Sequence, residues 1–95
     1  MIIATSFMIQ VKYISGLIKL RVRKVHETAL FEFFEVQARN KKIIFRNNRP
    51  LLKSKGLHKK RIDWKLIEGT LANQFIQEEI PRKLNEYFSQ NEIKS

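Results

Sequence analysis

The chain contains no cysteine, which excludes disulfide staples, thiolate metal ligands and a cysteine nucleophile together. That fits a reducing, cytoplasmic setting. Glycine is scarce, and Gly16, Gly56 and Gly69 stand far apart, so neither a phosphate-cradling loop nor a dinucleotide-binding turn is present. Histidine is limited to His26 and His58. The carboxylates Glu27, Glu32, Glu35 and Asp63 form no paired or metal-ligating pattern, and Lys59 and Lys60 beside His58 oppose a metal cation there. No metal, no cofactor and no catalytic constellation are therefore expected. No apolar run approaches the roughly 20 residues that span a bilayer, and the apolar opening stretch has no basic leader, so neither a membrane span nor a secretory signal is expected.

What is present points to a packed protein. Apolar residues make up 43% of the chain and aromatic residues 11%, with 7 phenylalanines among them, more than a disordered sequence carries. At 95 residues there is material for one hydrophobic core, so residues 1–95 read as a single domain. Strand-like residues follow Met8 directly, which makes residues 1–7 a candidate dispensable extension and Met8 a second candidate start. Residues 90–95 read as a frayed tail.

The net charge of +10 is unevenly spread. Residues 1–66 hold 16 Lys and Arg against 4 acids, whereas residues 67–95 hold 3 against 5. The span 39–65 alone has 11 basic residues opposed only by Asp63, which concentrates the positive field in the middle of the chain.

Ile9, Val11 and Tyr13 alternate with polar residues, as do Ile18, Leu20 and Val22, the period of two expected of strands with one buried face. A turn at Ser15-Gly16 makes them a hairpin. After a polar connection around His26-Glu27-Thr28, residues 30–36 are rich in strand formers. Adjacent Phe33 and Phe34 must face opposite ways, so either a bulge resets the register or both faces are covered. A turn at Arg39-Asn40-Lys41 leads to a fourth strand around Ile43-Ile44-Phe45. A long loop is expected over residues 47–60, with Pro50 holding Arg49 extended, and a fifth strand through Ile62, Trp64 and Leu66.

Thr70 is the expected N-cap of a helix whose stripe is Leu71, Phe75, Ile76, Ile80, Leu84, Tyr87 and Phe88. Pro81 lies within the stripe and is expected to kink or break it. The fold class is α+β: a small antiparallel sheet of about five strands, curled or forming a partly open barrel, closed by the C-terminal amphipathic helix.

The basic run from Arg49 to Arg61 is the main functional candidate. Arg46, Arg49, Lys53, Lys55, Lys59, Lys60 and Arg61 are expected to neutralise phosphates of a nucleic acid or another polyanion, or else to form a solvated, mobile loop without specific contacts. Lys19, Arg21 and Arg23, with Lys12, form a second positive stripe, opposed by the reading that it is the wet face of a half-buried sheet. Trp64 is in phase with Ile62 and Leu66 and reads as core rather than a base-stacking platform. Phe31, Phe33 and Phe34 read as core or dimer face, because Glu32 and Glu35 lie among them and repel phosphate. The alternative to nucleic-acid binding is a protein interaction module, meeting an acidic protein or forming a homodimer through a sheet face or edge. A metal-independent ribonuclease using His26 and His58 is the remaining enzymatic alternative.

Overall fold

The computed structural model describes residues 6–57 and 60–91. In chain order the elements are β1 (Ser6–Tyr13), β2 (Gly16–Glu27), β3 (Glu32–Ala38), β4 (Lys41–Asn47), α1 (Arg49–Ser54), β5 (Trp64–Glu68) and α2 (Gln74–Asn91). The five strands form one open antiparallel sheet in the order β1-β2-β3-β4-β5, so each strand pairs with its sequence neighbour.

Two tight turns set the register of the β1–β2 and β3–β4 pairs. Tyr13 pairs with Gly16, leaving Ile14 and Ser15 as the turn, one residue earlier than the Ser15-Gly16 expected. Ala38 pairs with Lys41 around Arg39-Asn40. Ile14 and Arg39 both take positive φ, 56° and 58°, where a side chain crowds the backbone; the turns need that twist even without glycine there.

Alternation then decides what is buried. Ile9, Val11, Leu20, Val22, Phe34, Val36, Ile43 and Phe45 point to one face and are buried, and α2 covers them with Ile76, Ile80 and Leu84, joined by Leu71 just before the helix. At the other end of this layer, the Phe7 ring stacks on Tyr87 at 3.8 Å. Phe34 and Trp64 pack against Phe88. The indole N–H of Trp64 donates to Asn85 Oδ1 at 2.8 Å, so Trp64 belongs to the core layer as expected. Ser6 and Phe7 are integral to β1, and a chain begun at Met8 would lose the Phe7 ring from this cluster.

Local chemistry departs from the sequence-based expectations in several places. Residues 49–54 are helical, not part of a loop: Pro50 sits in the first turn, where its missing N–H costs nothing, and Leu52 is buried beneath it. Arg49 is thus helical rather than extended, its N–H donating to Asn47 Oδ1 at 2.9 Å. The N-cap of α2 is Asn73, whose Oδ1 accepts the Ile76 N–H at 3.1 Å. Thr70, the expected cap, lies before the helix and donates its hydroxyl to Gln77 Oε1.

Helix α2 runs through Pro81 as one element rather than breaking in two. Ile80 and Leu84 flank the proline and are fully buried, and burying each contributes about 1.5–3 kcal/mol, which offsets the roughly 3 kcal/mol a mid-helix proline costs. Gln90 and Asn91 belong to this helix. Residues 1–5 of the expected extension and 92–95 of the expected tail lie outside the described residues.

Gly69 has φ of 82°, and a Cβ there would meet Lys42 O at 2.8 Å and Ile43 Cγ2 at 3.0 Å, whereas Gly56, at φ of 68°, has open space around it. Gly69→Ala is expected to destabilise the protein by at least about 2 kcal/mol and Gly56→Ala by about 1 kcal/mol. Ile14→Gly relieves the same strain at an exposed site and is expected to raise the midpoint; urea denaturation of the three variants checks the order.

Candidate functional site

A five-stranded sheet has a second face, and none of the described elements covers it. Along β1 and β2 this face carries Met8, Gln10 and Lys12, then Leu17, Lys19, Arg21 and Arg23, all exposed. Phe33, Glu35 and Gln37 continue it on β3, with Lys42, Ile44 and Arg46 on β4 and Lys65 on β5. Pairing fixes the rows. Arg21 is opposite Gln37, which is opposite Lys42. Arg23 is opposite Glu35, and His26, Phe33, Arg46 and Lys65 form one row across four strands. Positions two apart on a strand stand about 6.7 Å apart, and neighbouring strands about 4.8 Å, so these cations form a grid with little freedom to disperse.

The charge of that grid is largely unopposed. Glu35 is held by Arg23 at 3.0 Å, and Glu68 lies opposite Ile44 at the β5 edge. Among the described residues, Lys12, Lys19, Arg21, Lys42, Arg46 and Lys65 form no ion pair. Of the acids of α2, Glu79 and Glu86 pair with Arg82 and Lys83 on the same helix, and Glu78 accepts a hydrogen bond from Gln74 on it. The two acids beside Arg82 also hold its guanidinium above its ordinary pKa, the Glu79 hydrogen bond most.

The seven cations singled out from the sequence are divided among separate settings. Arg46 alone lies on the open sheet face, its guanidinium carbon 4.2 Å above the Phe31 ring. Arg49 and Lys53 belong to α1, Lys55 is its C-cap, and Lys60 and Arg61 are exposed in the segment before β5. Lys59, like His58, lies outside the described residues. Arg49 is turned inward, 3.4 Å from Glu32 and 4.2 Å above the Phe88 ring. Lys42 and Lys65 were not singled out from the sequence; the alternation that defines the strands is the signal that would have placed them.

The inward Arg49 belongs to a polar cluster at one end of the core. A β-bulge interrupts the β2 register between Lys24 and His26, so Lys24 and Glu27 both reach the covered side while His26 turns to the open face. Glu32, only 5% exposed, accepts from Asn47 Nδ2 at 3.1 Å and from Lys24 Nζ at 3.1 Å. Burial alone would lower the Lys24 ammonium pKa, but hydrogen bonds to Glu27 and Glu32 outweigh it and raise the value. The same bond to Lys24 lowers the Glu27 carboxyl. Glu27, Glu32, Arg49, Pro50, Lys53 and Ser54 line a shallow open depression of about 360 Å³.

This cluster satisfies the fold's own polar groups. No buried side-chain polar atom among the described residues lacks a partner, and no group of described His, Asp or Glu side chains is arranged to hold a metal ion. His26, exposed at the end of β2, packs its ring 5.5 Å from Phe33.

Removing the Glu32 carboxylate would leave Asn47, 1% exposed, without its acceptor and Lys24 and Arg49 without a shared anion. Glu32→Ala is expected to cost about 2–3 kcal/mol, read by urea denaturation, and the double change Glu32→Leu with Asn47→Leu to cost less than the single one. No protein-family model matches this chain, and comparison with curated proteins and with solved structures found no match to either.

Proposed function

We propose that this protein is a non-enzymatic binding module for nucleic acid or a similar polyanion. The contact surface in this reading is the open sheet face, with the exposed cations Lys55, Lys60 and Arg61 extending its field rather than forming the site. The observation that carries the reading is the grid of Lys12, Lys19, Arg21, Lys42, Arg46 and Lys65, uncovered and without ion pairs among the described residues. An unpaired cation on a strand neutralises a phosphate without breaking an ion pair or ordering its backbone, and each contact releases condensed counterions. Backbone-led binding with weak sequence preference is the expected mode, since α2, the only long described helix, packs its apolar stripe on the core and pairs its Arg82 with Glu79 and Glu86.

A second reading rests on the open edges. β1 and β5 each pair on one side only, and Met8, Leu17 and Ile67 are large exposed apolar side chains on these outer strands and on β2, 49%, 62% and 45% exposed. Strand addition between two copies of the chain would use such an edge. Light scattering from micromolar to millimolar protein tests it, and a constant monomer mass removes it.

For the polyanion reading, the measurement is anisotropy of a labelled oligonucleotide over a range of salt. With about five phosphate contacts, log K is expected to fall against log salt with a slope of about −3.5 for a single strand. Lys19→Glu with Arg21→Glu should lower affinity more than about tenfold and flatten the slope. No binding at low salt, or salt-insensitive binding, would sink the proposal.

A further inference from the structure

The open face is not uniformly cationic, and its one aromatic row points to the kind of polyanion that fits. In the row His26, Phe33, Arg46, Lys65, two rings and two cations share a single line across the sheet. The His26 and Phe33 rings are 5.5 Å apart at 45°. Beside them the Arg46 guanidinium lies over Phe31 at 4.2 Å. Phe31 is placed by the turn that precedes β3: Thr28 Oγ1 accepts the N–H of Leu30 and of Phe31, at 3.3 and 3.0 Å, and the Thr28 N–H donates to Phe31 O at 2.7 Å.

Phe33 has no part in the hydrophobic core, which lies on the other face and takes Phe34 and Val36 from β3. It is nevertheless aromatic and only half-buried among cations. The acids that flank it in sequence do not oppose an anion here. Glu32 points to the covered face and is shared by Lys24 and Arg49, and Glu35 is engaged by Arg23.

We infer that the Phe33 row, with Phe31 and Arg46, is a stacking platform for unpaired bases, and that the partner is a single-stranded nucleic acid. This inference rests on the polyanion reading above and narrows it. A duplex buries its base faces and offers only phosphates to such a sheet, whereas a single strand offers a base face to each ring or guanidinium plane and a phosphate to each neighbouring lysine or arginine. Phe33 and Arg46 take bases in this arrangement, while Lys65, Lys42 and Arg21 take the backbone.

The test is anisotropy with labelled single-stranded DNA and single-stranded RNA of about 12 nucleotides, the corresponding duplexes, and heparin as an anion without bases. Single strands are expected to bind more tightly than duplex or heparin at equal salt, with the DNA and RNA arms separating the two sources. Phe33→Leu, which keeps an apolar strand residue, is expected to weaken single-strand binding about tenfold or more with the salt slope unchanged. Phe33→Tyr is expected to restore it, and urea midpoints of both variants close to that of the parent show that the sheet is intact. If Phe33→Leu binds single strands as the parent does, or duplex and heparin bind as well as single strands, the platform is overturned while the polyanion reading stands; if no polyanion binds at low salt, both fall.

Discussion

A five-stranded sheet has two faces, and this chain has one long amphipathic helix to lay across them. The apolar stripe of α2, through Ile76, Ile80 and Leu84, meets the apolar rows of β1 to β4, and covering one face fixes which side of every strand is wet. A register slip of one residue in β2 would drive Lys19, Arg21 and Arg23 into the core and expose Leu20 and Val22. The desolvation of those charges makes such a slip prohibitive. The cationic face and the hydrophobic core are therefore two consequences of one pairing pattern.

Where the covering ends, the fold changes its means of burial. At the end of the covered layer that holds Glu32 and Asn47, charge complementarity replaces apolar contact: Glu32 collects Asn47, Lys24 and Arg49, and the bulge in β2 supplies the extra residue that puts both Lys24 and the exposed Glu27 on this side of the sheet. The same bulge sends His26 to the open face, into the row of Phe33. One irregularity thus completes the polar end of the core and shapes the surface proposed as the binding site. Arg49 is drawn from the basic run by this cluster and by Phe88, which leaves the strands carrying the ordered part of the positive surface.

The strands were legible wherever alternation was clean, as in residues 17–23, and the helix wherever its stripe was long. Legibility failed where a local signal competed with a distant contact. Pro50 read as a turn because its effect on Arg49 is local, while burial of Leu52 and the bond from Leu51 N–H to Leu30 O, which favour a helix, come from residues far along the chain. Pro81 read as a kink or a break, and the break is absent because burial of Ile80 and Leu84 holds the helix together as one element. The seven cations from Arg46 to Arg61 read as one site because they are close in sequence, although Arg46 sits on the open face, Arg49 faces the core, and Lys53, Lys55, Lys60 and Arg61 extend from α1 and the segment after it. Phe33 was set aside because Glu32 and Glu35 are its sequence neighbours, but a strand puts Glu32 on the opposite face and gives Glu35 to Arg23.

By itself the sequence determined the class of the molecule: periods of two and then of 3.6, one core's worth of apolar residues, an excess of positive charge, and no cysteine. These are properties of composition and local spacing, which backbone geometry converts directly into strands and a helix. Only the tertiary structure decided which cations stand together and which are consumed. That depends on cross-strand register, on a bulge, and on an acid reached from three directions, and such contacts between residues distant along the chain leave no periodic trace in it.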